Sequence, residues 1–173
     1  MKLISILALL LMNPIVIFNA DSNDIIDWYE VNDTVMGGRS TARITKGPSG
    51  NVCFQGDVSL DNNGGFASMR YNVDPQSLVD KDHFVLRVKG DGSSYQFRVK
   101  STRRQQHSHV YTFQTTGEWQ EITIPFTDMT PQWRGRLLRM KNYDGDSIAE
   151  VGILIGNKKA QEFKILLDFI EAR

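Results

Sequence analysis

The chain turns sharply within the segment Val31-Asn32-Asp33-Thr34-Val35-Met36-Gly37-Gly38-Arg39-Ser40. Asn and Asp side chains hydrogen-bond to nearby backbone and so favour turns, and adjacent glycines adopt positive φ angles that other residues resist. A second segment of the same character reads Asp61-Asn62-Asn63-Gly64-Gly65-Phe66-Ala67-Ser68. We predict that these two glycine corners (residues 31–40 and 61–68) each lead into a β-strand and pass close to each other or to a ligand. A purely structural role, as tight turns of a β-sandwich, is the interpretation that the sequence alone favours.

Size and composition are those of one soluble globular domain. The chain has 173 residues, of which 40% are hydrophobic and 23% are charged, which suffices for a single core without disulfides. The 20 basic residues balance the 20 acidic ones, whereas a general nucleic-acid binder carries a basic excess. We therefore predict no nucleic-acid partner.

Short alternating segments continue to the C-terminus, separated by turn signals such as Gly47-Pro48-Ser49-Gly50. Their spacing is typical of sandwiches and barrels, and no amphipathic helix of ordinary length is evident. The sequence predicts an all-β, jelly-roll-like sandwich of about nine or ten strands. Residues 126–146 are expected to form its longest irregular stretch, and Cys53 is expected to be buried in a strand.

The N-terminus is strongly apolar. Lys2 precedes an apolar run from Leu3 to Phe18, and the small residue Ala20 follows. This order is typical of a secretory signal peptide. We predict a signal peptide over residues 1–20 and an extracytoplasmic (periplasmic or secreted) domain over residues 21–173. The alternative is an uncleaved anchor that contacts the membrane through residues 3–18.

Several segments resemble the complex I intermediate-associated protein 30 family. They are the two glycine corners with the preceding Trp28, and the segments Trp119-Gln120-Glu121-Ile122-Thr123-Ile124-Pro125-Phe126 and Trp133-Arg134-Gly135. The resemblance covers nearly all of residues 28–170. It implies a galactose-binding-like β-sandwich, and the compact form resembles bacterial single-domain members.

In mitochondria, members of this family act as assembly factors for NADH:ubiquinone oxidoreductase (complex I) and hold intermediates without catalysing a reaction. The resemblance therefore implies a chaperone-like scaffolding domain whose partner is a membrane-complex subunit or an assembly intermediate. The apolar leader is neither Arg-rich nor amphipathic, unlike a transit peptide. Export would conflict with a role in the mitochondrial matrix.

The sequence carries no recognisable catalytic signature, such as a G-x-S-x-G elbow or an H-E-x-x-H pair. We predict no enzyme activity, no cofactor and no catalytic metal. His107 and His109 would share one face of a strand, but no third zinc ligand is evident. Asp144 and Asp146 offer few oxygens for calcium, so a plain turn is favoured there and a structural calcium is the alternative.

Basic side chains alternate with apolar ones in the middle of the chain, which predicts one outward basic face. Its members are Arg70, Arg87, Lys89, Gln96, Arg98 and Lys100. With Trp133 at its rim, this face suits a sugar, a carboxylate or a peptide. A secreted carbohydrate-binding module is therefore the alternative function, and a plain solvated sheet face is the alternative to any site.

The predicted binding residues lie in the two corners, on the basic face and in the adjoining loop. They are Asp33, Met36, Gly37, Gly38, Ser40, Asn63, Gly64, Gly65, Arg70, Arg98, Trp133 and Arg134.

Overall fold

A computed structural model describes residues 13–173. Its strands are β1 (Ile15–Asn19), β2 (Trp28–Glu30), β3 (Thr41–Lys46), β4 (Val52–Val58), β5 (Ala67–Gln76), β6 (His83–Lys89), β7 (Ser94–Lys100), β8 (Ser108–Gln114), β9 (Trp119–Pro125), β10 (Thr130–Trp133), β11 (Arg136–Leu137), β12 (Ile148–Ile155) and β13 (Gln161–Ala172). Four single-turn 3-10 helices, Ile25–Asp27, Asp33–Met36, Asp61–Asn63 and Phe126–Asp128, lie between them. The described residues contain no α-helix, and none of their helices is long and apolar enough to cross a membrane. The all-β class is confirmed, with more strands than predicted because several are very short.

The strands form two antiparallel sheets that pack face to face. The six-stranded sheet has the order β3-β4-β13-β6-β9, with β1 also beside β13, and the seven-stranded sheet has the order β11-β10-β8-β7-β12-β5-β2. Apolar side chains alternate toward the space between the sheets, where Phe84 of β6 and Phe97 of β7 meet with ring centroids 5.2 Å apart. Cys53 is a buried free thiol in β4. The predicted β-sandwich is confirmed.

The domain begins earlier than the expected boundary at residue 21. Strand β1 pairs with the end of β13, and Phe18 lies opposite Ile170. Phe18 is fully buried, and its ring packs edge-on against Trp28 and Tyr71 at 5.2 and 5.3 Å. The end of the apolar N-terminal run is therefore a strand of the sandwich. Residues 1–12 lie outside the described residues, so the signal peptide or anchor stays a prediction.

The basic side chains predicted to share one face lie on two different sheets. Strand β6, with Arg87 and Lys89, belongs to the six-stranded sheet, whereas β7, with Arg98, belongs to the seven-stranded sheet. The single-face prediction is wrong because the turn after β6 crosses between the sheets and does not close a hairpin. Arg87 instead forms an ion pair with Asp168 and lies over the ring of Trp119, 4.8 Å from its centroid.

Residues 126–146 are more regular than predicted. They contain one turn of 3-10 helix and the β10–β11 hairpin. Arg134 and Gly135 form its two-residue turn, with φ angles of 48° and 74°. Positive φ angles at both central residues are required by the two-residue type I′ hairpin turn.

Candidate functional site

The two glycine corners meet at one buried carboxylate, that of Asp33, which is 0% exposed. Its Oδ1 accepts a hydrogen bond from the backbone N–H of Ser40 (2.9 Å), and its Oδ2 accepts one from the Ser40 hydroxyl. Oδ2 also accepts from the N–H groups of Gly65 (2.7 Å) and Phe66 (3.3 Å). Asp33 therefore ties the first corner to the second, so the corners pass close to each other.

The charge on Asp33 is stabilised by its hydrogen bonds. Burial raises the pKa of this carboxyl, but hydrogen bonds from Ser40, Gly65 and Phe66 outweigh burial and lower the pKa overall. Several donors aimed at one carboxylate favour its ionised form. The corner is thus organised around a buried negative charge.

Each glycine pair combines one close approach with one positive φ angle. A Cβ atom on Gly38 would lie 2.3 Å from Asp33 Oδ1, and one on Gly64 would lie 2.6 Å from Oδ2. Gly37 and Gly65 have φ angles of +89° and +133°. The expectation of positive φ at Gly38 is wrong, because this glycine is needed for space beside Asp33 and not for its dihedral angle.

Replacing Gly38 with valine should lower the free energy of unfolding by about 3 kcal/mol or more, since the side chain would displace a buried, hydrogen-bonded carboxylate. The control is Gly37→Ala, because a Cβ there meets nothing within 4 Å and only the positive φ opposes it, at about 1 kcal/mol. Urea denaturation of both variants measures the difference. Equal losses in the two variants would contradict this explanation of Gly38.

Apolar side chains project into solvent from the first corner and from the residue just before the second. Val35 is 70% exposed, Met36 is 58% exposed and Leu60 is 46% exposed. We call these three residues the corner surface. The loops that carry them are joined by the Asn62 amide, which donates to the Gly37 carbonyl oxygen at 3.1 Å. Asn63, predicted as a binding residue, is an exposed turn residue with a φ angle of 59°.

A second polar cluster lies on the outer face of the seven-stranded sheet. Glu150 of β12 is 8% exposed. Its carboxylate accepts from the Tyr29 hydroxyl (3.1 Å) and lies 3.3 Å from Lys100 Nζ and 3.7 Å from an Arg70 nitrogen. Arg98 lies on the same face, on β7 beside β12. Two of the predicted binding residues, Arg70 and Arg98, are therefore neighbours in one cluster.

This cluster borders the glycine corners. The Val31 N–H donates to the Ser68 carbonyl oxygen at 2.9 Å, and the Ser68 hydroxyl donates to the Val31 carbonyl oxygen. Ser68 in turn lines the recess that contains Arg70 and Arg98. The start of β5 thus connects the two parts of the candidate site.

Trp133 does not form the rim of this cluster. In β10, Thr130 lies opposite Val110, and Val110 lies opposite Arg98, so those three positions share one face. Because side chains alternate along a strand, Trp133 points to the other face. The Arg134 guanidinium lies over its indole, 5.0 Å from the ring centroid. The structure therefore separates Trp133 and Arg134 from Arg98.

The two motifs considered as metal candidates, His107/His109 and Asp144/Asp146, do not gather a ligand set within the described residues. His109 packs against Tyr143, with ring centroids 5.3 Å apart, and burial lowers its pKa. Asp144 forms an ion pair with Lys141, and its Oδ1 accepts from the Asp146 N–H at 3.2 Å, as in a tight turn. Residues 13–173 contain no group of three His, Cys, Asp or Glu side chains that could hold a metal ion.

The sequence interpretation missed Glu150, Tyr29 and Gly152, which together shape the cluster. One signal was present: Glu150 is an isolated acid inside the otherwise apolar strand β12. A charge in such a strand is buried and needs partners of opposite charge. Those partners come from β5 and β7, which are distant in sequence.

The fold is similar to that of carbohydrate-binding modules. A family 11 module of Clostridium thermocellum in complex with a β-1,3-1,4-mixed-linked tetrasaccharide is 17% identical, with a TM-score of 0.68 over 92% of this chain and 95% of that chain. The family 11 module of a cellulosomal cellulase from the same organism is 16% identical, with a TM-score of 0.69 and coverage of 92% and 94%. At these identities the similarity shows the fold alone.

The sequence comparisons show the family. The chain is 25% identical over 166 residues to a Caenorhabditis briggsae protein described as "Probable complex I intermediate-associated protein 30, mitochondrial". This alignment covers 83% of the chain and 47% of the relative, so the chain spans about half of that relative's length. The profile of the family described as Complex I intermediate-associated protein 30 matches residues 17–167. Because this match covers most of the sequence, including part of β1 and both glycine corners, the chain belongs to the complex I intermediate-associated protein 30 family.

Proposed function

We propose that this chain is a non-catalytic binding domain that holds a subunit or assembly intermediate of complex I, and that the corner surface makes the contact. Family membership supports the kind of partner. The observation that carries the proposal is the exposure of Val35 and Met36 on loops that are fixed from within by Asp33.

The geometry suits a protein partner for two physical reasons. Methionine and other apolar residues at the centre of an interface supply its hydrophobic contact area. Loops held in one conformation before binding lose less conformational entropy when the partner docks. The hydrogen bonds from Ser40, Gly65 and Phe66 to Asp33 provide that order on both sides of the corner surface.

The proposal predicts that Met36→Asp abolishes capture of complex I subunits. The measurement is affinity purification of the tagged full chain from detergent-solubilised native membranes, with subunits identified by mass spectrometry. A charge at a buried interface position weakens binding by about 2 kcal/mol or more.

The matched control is Val79→Asp, a substitution at a position that is 70% exposed and outside the corners. Capture by parent and Val79→Asp, but not by Met36→Asp, is the expected result. Recovery of the bare chain, or equal capture by all three, would contradict the proposal.

A second candidate is carbohydrate binding, which is supported by the fold shared with a module bound to a tetrasaccharide. The Arg70–Arg98 cluster and the exposed Trp133–Arg134 pair are the two surfaces that this function would use. A glycan array with the parent, Arg98→Gln and Trp133→Ala tests it. Loss of a glycan signal in one variant identifies the surface, and an array without signal from the parent removes this candidate.

A further inference from the structure

The cluster on the outer face of the seven-stranded sheet carries more positive than negative charge. Three cations, Arg70, Arg98 and Lys100, line its recess together with one carboxylate, Glu150. Glu150 is already engaged by Lys100 and Arg70, at 3.3 and 3.7 Å. The three cations and the one carboxylate therefore give the recess a net charge of two positive charges.

A glycine lies between the two arginines. On β12, Gly152 lies directly opposite Arg98 of β7 and directly opposite Arg70 of β5. A Cβ atom on Gly152 would lie 2.9 Å from the Met69 carbonyl oxygen, so a larger residue does not fit. Gly152 itself is buried, and the Arg70 side chain packs over it, with its Cγ 3.4 Å from where a Cβ atom would lie. The glycine therefore lets the two arginine side chains lie close to each other on neighbouring strands.

Arg98 has no partner of opposite charge within residues 13–173. Its guanidinium forms no ion pair there, and its buried Nε–H finds no acceptor. Burial and the neighbouring Arg70 lower the pKa of Arg98 to about 10, which leaves it charged at neutral pH. A partly buried cation without a counter-charge is costly, so the arrangement favours an anion arriving from outside the chain.

We propose that this recess is an oxyanion-binding site, in which Arg98 and Arg70 hold a carboxylate or phosphate group. Planar guanidinium groups bind such groups through paired hydrogen bonds. Glu150 and Lys100 also line the recess, and the Ser108 hydroxyl is a further donor at its lining. The site is separate from the corner surface, so its test is independent of the proposed function.

The resident carboxylate gives the proposal a distinctive test. Glu150 competes with the incoming anion for Arg70 and Lys100, so Glu150→Gln should tighten oxyanion binding severalfold. Arg98→Gln should weaken binding by roughly tenfold or more, since a charged hydrogen-bond partner is lost. Arg98→Lys, which keeps the charge but not the planar fork, should fall between Arg98→Gln and the parent. Arg136→Gln, an exposed arginine on β11, is the control and should match the parent.

The measurement is an NMR titration of the full chain with inorganic phosphate and, separately, with acetate, at an ionic strength kept constant with chloride. Saturable shifts of the Gly152 amide and of the Arg98 Nε–H with either probe are the expected result, and the tighter probe identifies the preferred group. No saturable shift with either probe would overturn the proposal. Equal affinities in the parent, Arg98→Gln and Glu150→Gln would overturn it as well.

Discussion

A chain that begins at Asp21 should be less stable than one that begins at Asn13 by about 3–6 kcal/mol. The shorter chain lacks β1, and with it Phe18 and Ile17, which are 0% and 5% exposed. Burial of each such side chain contributes about 1.5–3 kcal/mol. Loss of Phe18 also leaves Trp28 and Tyr71 without the ring that packs against both. Urea denaturation of the two chains measures the difference.

Point substitutions separate this effect from chain length. Phe18→Ala should lower the free energy of unfolding by about 3–5 kcal/mol. Val16→Ala, on the same strand but 50% exposed, should change it by less than about 1 kcal/mol. Equal stabilities of the chains that begin at Asn13 and Asp21 would show that β1 is not part of the folded domain.

The same strand makes a prediction about processing. Cleavage after Ala20 would remove β1 from the sandwich, so N-terminal sequencing of the natively produced protein should not find Asp21 as its first residue. Sequencing each cell fraction also tests the prediction that the apolar N-terminus is an export signal or an anchor. A mature start at Asp21 in an extracytoplasmic fraction would contradict the assignment of β1 to the mature domain.

Replacing Asp33 with alanine should lower the free energy of unfolding by about 3–5 kcal/mol, because removing one partner from a buried charged network leaves the others unsatisfied. The N–H groups of Ser40, Gly65 and Phe66 would lose their acceptor. Asp33→Asn, which keeps one acceptor oxygen, should lose less. The control is Asp61→Ala, which removes an exposed carboxylate of the second corner and should cost less than about 0.5 kcal/mol. A loss below 1 kcal/mol for Asp33→Ala would contradict the central place given to this carboxylate.

The pH dependence has a defined sign. The pKa of Asp33 is lower in the folded protein than its ordinary value, so ionised Asp33 stabilises the fold fully above the unfolded-state pKa, about 3.9. That contribution is lost as the pH falls through the lower, folded-state pKa. The stability difference between the parent and Asp33→Asn should therefore shrink as the pH falls below about 4. A difference that grows in acid would contradict the lowered pKa.

Local sequence patterns predicted the features that depend on neighbouring residues. Two-residue alternation identified the sandwich, and the paired glycines located both corners. The wrong predictions about which residues share a sheet depend on contacts between distant parts of the chain, whereas the positive φ angle expected at Gly38 was wrong for a local reason, its closeness to Asp33. The strand Ile15–Asn19 continues an apolar run and cannot be told from a leader by pattern alone. The sequence of the turn between β6 and β7 does not reveal that the chain crosses there from one sheet to the other. Arg87 was therefore predicted on the same face as Arg98, although it belongs to the other sheet.

In the candidate site, too, local features were predictable from the sequence and contacts between distant segments were not. Asp33 and its adjoining glycines were predicted as binding residues, and the approach of the two corners to each other was one of two predicted alternatives. The hydrogen bond from Gly65 to Asp33 that joins them across 32 residues of sequence was not predictable from either corner. The cluster around Glu150 depends on the register of β5, β12 and β7. Trp133 was assigned to the rim of the predicted basic face because residues 130–133 were taken for part of a loop. They form strand β10, and the alternation of its side chains directs Trp133 to the other face.

Photo-cross-linking from the corner surface is the most direct test of the central claim that the corner surface binds a protein partner. A photoreactive phenylalanine analogue is placed at Met36, in cells that produce the full chain. A matched probe is placed at Val79, which lies outside both corners and is 70% exposed against 58% for Met36. The proposed function predicts a discrete cross-linked product at Met36 that contains a complex I subunit, and no such product at Val79. The same products at both positions, or no complex I subunit at Met36, would contradict it.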